Sequence, residues 1–235
     1  MNDQVKTWMS IFLSIVLTAC SKPAAPQPSQ PPQRIHPFRF LALGDSYTIG
    51  ESVDESQRWP VQLVAAMRNA GVDVGAPTII AQTGWTAANL STALDEVNPQ
   101  GPFDVVGLLI GVNNQYQGRS EDEYRIQLVQ LLQRSIDLAA DKPSHVVVLS
   151  IPDWGTTPYA KRMGANGAEV AAAIDRYNAV AKSEAAKVGA AYVDITTVTR
   201  SHPELLAGDG LHPSGEMYAE WVKLALPAAL GAVLK

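Results

Sequence analysis

Phe38-Arg39-Phe40-Leu41-Ala42-Leu43-Gly44-Asp45-Ser46-Tyr47-Thr48-Ile49-Gly50-Glu51 is the stretch on which the reading of this chain turns. Its first part, Phe38 to Leu43, is an apolar run of strand length broken only by Arg39. A run of this kind, closed by a turn residue, suits a strand buried on both faces of a parallel sheet. Gly44 permits a tight turn, and a helix is expected to begin near Tyr47. The hydroxyl of Ser46 would then lie close to the positive end of that helix. Taken alone, Asp45-Ser46 reads as an ordinary turn and helix cap.

The pattern repeats along the chain. Further β-rich runs occur at Thr78–Ala81, Val105–Ile110, Val146–Ile151 and Ala191–Val193. Helical periodicity intervenes. Trp59–Ala70 has Pro60 in its first turn and Gly71 to stop it. Thr86–Val97 follows. Glu121–Ala140 has Ser120 as cap and Glu123 three residues on, a capping box. Ala168–Lys187 ends before Gly189, and Ser214–Leu226 completes the set. Strands alternating with helices predict an α/β sandwich around a mostly parallel five-stranded sheet, with right-handed crossovers and one domain over residues 38–235. In such sheets the ligand sits beyond the carboxyl ends of the strands.

The reactive residue types gather at those ends. Gln82-Thr83-Gly84 follows the second run, and Gly111-Val112-Asn113 follows the third. Asp209-Gly210-Leu211-His212-Pro213-Ser214-Gly215 lies near the C-terminus. A serine, a histidine and a carboxylate are the parts of an activated nucleophile. Asp209 stands three residues before His212, so its carboxylate can reach back and set the imidazole tautomer. Gly84 offers a backbone N–H unobstructed by a side chain, and the Asn113 amide donates without charge, as an oxyanion hole requires. The set predicts an ester-cleaving hydrolase. There is no Gly-x-Ser-x-Gly elbow, so the α/β-hydrolase arrangement lacks its central motif.

These segments, in this order, resemble those of the SGNH hydrolases, the GDSL esterase/lipase family. The specific ones are Gly44 to Glu51 and Asp209 to Gly215, and the likeness spans about Phe38 to Lys235. It implies a three-layer α/β/α sandwich of flavodoxin-like type, with Ser46 as nucleophile, His212 as base and Asp209 orienting it. It also implies an oxyanion hole made of the Ser46 N–H, the Gly84 N–H and the Asn113 amide, with no metal and no organic cofactor. The third block of the family usually reads Gly-x-Asn-Asp, and here Asn114 replaces the acid. Candidate substrates are short acyl esters, lysophospholipids, acyl thioesters and acetylated sugars. An acyltransferase would use the same residues with a hydroxyl acceptor in place of water, and a non-catalytic binding lipoprotein could use the same fold. Tyr47, Trp85, Asp153 and Trp154 adjoin these motifs and are expected to serve mainly in packing. Asp194 is expected to cap a turn.

The N-terminal segment is a separate matter. Lys6 precedes the uncharged apolar stretch Trp8 to Ala19, which reads as a signal peptide over residues 1–19 and is short for a membrane span of ~20 residues. Leu17-Thr18-Ala19-Cys20 resembles the lipobox of bacterial lipoproteins. That likeness implies lipidation of Cys20, anchoring in a lipid bilayer and a place in the bacterial cell envelope. Ser21 after the cysteine favours the outer membrane. Residues 20–37 form a proline-rich tether, able to reach roughly 50 Å at ~3.1 Å per residue.

Bulk composition narrows the rest. Of 235 residues, 46% are hydrophobic, enough for a substantial core. The formal charge of −5 and the absence of a basic stripe argue against a nucleic-acid partner. The single cysteine excludes an internal disulfide. No spacing typical of a metal site or of a nucleotide-binding loop is present.

Overall fold

The computed structural model describes residues 36–234. The expected signal segment 1–19, Cys20 and nearly all of the tether 20–37 lie outside the described residues. Among the described residues no helix is long and apolar enough to cross a membrane.

The five strands are β1 (Phe40–Gly44), β2 (Thr78–Ala81), β3 (Val105–Leu109), β4 (Val146–Leu149) and β5 (Ala191–Val193). They pair in the order β2-β1-β3-β4-β5 and every pairing is parallel. The sheet is thus fully parallel, where a mostly parallel one was expected. Its order is that of the flavodoxin-like fold, in which the switch point lies between β1 and β3. Register places Gly44 opposite Ala81 on one side and Leu109 on the other, so three strand ends finish level. All residues of β1, β3 and β4 are buried, as their unbroken apolar runs require.

Helices cover both faces. On one, α2 (Trp59–Asn69) packs on the terminal helix α9 (Gly215–Val233), which also meets β3, β4 and β5. On the other, α3 (Ala87–Val97), α5 (Glu121–Leu138) and α7 (Gly167–Val188) lie side by side. The capping residues read from the sequence act as such. Ser120 accepts from the Glu123 N–H and Ser214 from the Met217 N–H. Thr86, expected as the first residue of its helix, is the cap of α3 and accepts from the Asn89 N–H. Asp194 likewise accepts from the N–H groups of Thr196 and Thr197.

Two expectations need correction. The last helix does not stop at Leu226 but runs through Pro227 to Val233. Proline in a helix interior costs ~3 kcal/mol. Here the buried stripe Met217, Tyr218, Trp221, Val222 and Ala225 continues to Ala229 and Ala232, and burial of that stripe outweighs the missing hydrogen bond. In addition, the short helices α1 (Ser46–Ile49), α4 (Val112–Tyr116), α6 (Pro158–Arg162) and α8 (Thr196–Ser201) occupy stretches too brief for periodicity to register, α1 excepted as the helix expected near Tyr47.

Candidate active site

The site is assembled at the carboxyl ends of β1, β2 and β3. Gly44 closes β1 in a turn so tight that a Cβ there would stand 2.2 Å from Thr48 Oγ1 and 2.5 Å from the Leu109 carbonyl oxygen. The chain enters α1 at once, with Ser46 as its first residue. Asp45 caps that helix, one carboxylate oxygen accepting the Tyr47 N–H at 3.0 Å. Ser46 is only 5% exposed. It lines a cavity of about 150 Å³ together with Gly84, Asn113, His212 and several aromatic side chains.

Asp209 and His212 come from the turn before α9. His212 Nδ1 lies 2.6 Å from Asp209 Oδ2. The other oxygen, Oδ1, accepts the backbone N–H groups of Leu211 at 2.8 Å and His212 at 2.9 Å. Ser52 donates its hydroxyl to Oδ2 at 2.8 Å. Burial by itself would raise the Asp209 pKa. The hydrogen bonds from the His212 ring, the two backbone N–H groups and Ser52 outweigh it and hold the carboxyl well below the usual range. An ionised carboxylate can only accept, so the proton on the ring belongs to Nδ1 and the lone pair of Nε2 is free. His212 is nearly buried and lines the same cavity as Ser46. No hydrogen bond joins the two among the described residues.

Three N–H donors stand ready near Ser46. Among the described residues, the backbone N–H groups of Ser46 and Gly84 donate to no protein acceptor. Asn113 spends one of its two amide hydrogens on the Trp85 carbonyl oxygen at 3.0 Å, which fixes the amide plane and leaves the other hydrogen free. Gly84 has φ +85, and a Cβ there would meet nothing within 4 Å. Its glycine is therefore required by the backbone conformation and not by lack of space.

The residues beside the motifs divide. Tyr47 and Trp154 pack in the core as expected and also line the cavity. Burial pushes the Tyr47 phenol far up, with the Asp45 charge adding to it, so the ring serves as a neutral wall 5.4 Å from the His212 ring. Asp153 packs as expected. It caps Gly155 and pairs with Arg200 at 2.8 Å. Trp85 contributes its carbonyl to Asn113. Asn114, at the position of the missing acid, is buried; its Oδ1 accepts the Ala87 N–H at 2.9 Å and its Nδ2 donates to Gln127 at 2.9 Å. An amide can donate and accept at once, which suits Gln127 as partner better than a carboxylate would.

Sequence reasoning missed Ser52, Tyr116 and Tyr159. Ser52 has φ +65, rare for a residue with a side chain, and this places its hydroxyl on Asp209. Nothing in the linear order signals that contact. Among the described residues no group of three or more His, Cys, Asp or Glu is disposed to hold a metal ion.

No curated protein matches the chain. Solved structures similar in fold include that of TesA, at 19% identity and TM-score 0.64, covering 83% of this chain and 99% of that one. The psychrotrophic esterase EstA from Pseudoalteromonas sp. is 15% identical with TM-score 0.63, covering 84% and 99%. A variant of Axe2, an acetyl xylan esterase from Geobacillus stearothermophilus, is 18% identical with TM-score 0.62, covering 83% and 95%. At these identities the likeness establishes the three-layer α/β/α architecture. The family model of the GDSL-like Lipase/Acylhydrolase family matches residues 42–220, a span that reaches every strand and holds each of Ser46, Gly84, Asn113, Asp209 and His212. The chain therefore belongs to the GDSL-like lipase/acylhydrolase family, and is an enzyme of the carboxylic-ester hydrolase class.

Proposed function

We propose that this protein is a serine esterase that cleaves small carboxylic esters through an acyl-enzyme on Ser46. The observation that carries the reading is the 2.6 Å contact between Asp209 and His212 Nδ1, which leaves Nε2 as the basic atom of a ring that shares a cavity with Ser46. Ser46 Oγ attacks the ester carbonyl while Nε2 takes its proton. The negative charge that develops on the carbonyl oxygen is met by the Ser46 N–H, the Gly84 N–H and the free Asn113 amide hydrogen. The imidazolium then returns its proton to the departing alkoxide, which leaves as alcohol. Water enters, gives a proton to Nε2, and attacks the acyl carbon; Ser46 recovers its proton as the acid departs. Asp209 accepts throughout and stabilises the imidazolium without being protonated.

Ser46→Ala tests this directly. The variant should retain the melting temperature of the parent, lose hydrolysis of nitrophenyl acetate and resist labelling by a fluorophosphonate. The Pseudoalteromonas esterase was solved inhibited by monoethylphosphonate. Near-full turnover by the variant would remove Ser46 from the mechanism.

We further propose that Cys20 is lipidated and holds the enzyme at the bacterial outer membrane through the tether 20–37. Lipid chains contribute ~0.8 kcal/mol per buried methylene, and more than one chain is needed for firm anchoring. Cys20→Ser should leave the exported protein soluble after membrane sedimentation, with cleavage of a soluble ester unchanged. Continued sedimentation with membranes would refute the anchor.

A further inference from the structure

Besides Tyr47, three aromatic side chains line the cavity beside Ser46, and each comes from a different element. Tyr116 is the last residue of α4, three beyond Asn113. Trp154 begins the turn that follows β4, and Tyr159 lies in α6. They hold one another. The Tyr116 and Tyr159 hydroxyls share a hydrogen bond of 3.1 Å. The Trp154 ring stands edge-on to Tyr116 at 5.3 Å and to Tyr159 at 6.4 Å. Trp154 Nε1–H donates to Gln115 at 2.8 Å, which ties the indole to α4.

The other end of this set is tied to the turn that bears the base. The Tyr159 N–H donates to the Gly210 carbonyl at 3.0 Å, and Arg162 Nη2 donates to the Asp209 carbonyl at 2.9 Å. The Arg162 guanidinium lies 5.8 Å from the Tyr159 ring centre. The aromatic set thus spans the cavity from the helix carrying Asn113 to the turn carrying His212. A volume of about 150 Å³ is well under the ~300–1,000 Å³ of pockets that enclose drug-sized ligands. The paired hydroxyls stand at the rim of the cavity, where Tyr116 is 48% exposed, so a long acyl chain leaving the cavity on this side would lie across them and strip water from two hydroxyls with methylenes that cannot hydrogen-bond.

We propose that the Tyr116–Tyr159 pair, backed by Trp154, sets acyl-chain length in this site and restricts it to short groups, acetyl through butyryl. The proposal rests on the serine-esterase reading for its chemistry, but the wall itself is independent of turnover.

The test is a panel of nitrophenyl acetate, butyrate and octanoate with the parent enzyme, Tyr116→Ala and Tyr159→Phe. The parent should use octanoate at a kcat/KM at least about tenfold below butyrate. Tyr116→Ala should raise octanoate relative to butyrate about tenfold, chiefly through KM. Tyr159→Phe keeps the ring and loses only the hydroxyl, so it should narrow the preference by roughly two- to fivefold. Equal use of octanoate and butyrate by the parent, or an equal loss on all three esters in Tyr116→Ala, would overturn the proposal. Binding of the same esters to Ser46→Ala, with and without Tyr116→Ala, is followed by tryptophan fluorescence and separates the two claims. Discrimination in binding without cleavage by the parent would refute the esterase reading and keep the length limit. Cleavage without discrimination would do the reverse, and neither cleavage nor discrimination would remove both.

Discussion

Two carboxylates flank the reactive residues, and the protein treats them in opposite ways. Asp209 is partly open to solvent and accepts four hydrogen bonds, from the His212 ring, two backbone N–H groups and Ser52. Asp45, one residue before Ser46, is completely buried. One of its oxygens accepts the Tyr47 N–H; the other has no partner among the described residues. Burial pushes the Asp45 carboxyl up to about 7, against the pull of the backbone N–H groups of Tyr47 and of Asp45 itself. Asp209 is held well below its ordinary range. The same functional group is thus held ionised in one loop and made far harder to ionise in the other: full burial raises Asp45, while four donors outweigh partial burial at Asp209. A charge is kept beside the His212 ring. It is suppressed where a helix start must be packed against the sheet.

The contrast between the two carboxylates fails most visibly in Asp209→Asn. The amide can donate to Nδ1 and so favour the wrong tautomer of His212; kcat/KM for a nitrophenyl ester should fall by roughly 10⁴-fold. A loss under tenfold would show that the depressed carboxylate does nothing for the base. Asn113→Ala supplies the uncharged control. One oxyanion donor is worth ~2.7–4 kcal/mol, so kcat should fall roughly 10²- to 10³-fold with KM nearly unchanged. Because the amide carries no titrating proton, that loss should be the same at every pH from about 6 to 9. A loss confined to KM would reassign Asn113 to substrate binding.

Asp45→Asn probes the fully buried member of the pair. The folded-state pKa lies above the unfolded ~3.9, so the native protein holds the extra proton. Its contribution to stability is complete below about 4 and is lost as pH rises through about 7. The amide introduced by the substitution does not titrate. The variant should therefore gain on the parent by a few kcal/mol in unfolding free energy between about pH 4 and pH 8, as read by urea melts across that range. Parallel stability curves for the two proteins would mean that Asp45 is not desolvated in the way its burial implies. The smallest effect belongs to Ser52→Ala. Removing one donor from a partly exposed carboxylate should cost under about 1 kcal/mol at neutral pH. The sign is set by the depressed pKa: the Ser52 contribution is present above ~3.9 and vanishes as Asp209 takes up its proton on further acidification. Parent and Ser52→Ala urea midpoints should differ by the same amount at about pH 7 and about pH 3, and the gap should narrow only in stronger acid, where Asp209 is protonated. A gap that widened with acid would refute the contact.

Legibility differed between the fold and the site. β1, β3 and β4 were readable because strands buried on both faces need unbroken apolar runs, whereas β2 and β5, the partly exposed edges, were readable as short β-rich runs between helical stretches. The starts of α5 and α9 were readable because their caps are local: Ser120 and Ser214 each bond within three residues. The end of α9 was not, since Pro227 is a local stop signal and the burial of Ala229 and Ala232 that overrides it is a long-range fact. Ser46, Gly84, Asn113, Asp209 and His212 were identifiable because each sits in a short motif at a strand end or turn. Tyr116 and Tyr159 carry no such motif, and their hydroxyls meet across a separation of 43 residues. Ser52 reaches Asp209 across 157.

Linear order therefore set the chemistry on offer and the layered architecture, since residue type, apolar runs and caps act over one or two turns of chain. Folding in three dimensions set which carboxylate is charged, which aromatic rings wall the cavity and how large that cavity is. Those properties depend on desolvation and on contacts between residues far apart in the chain, and neither is written in local order.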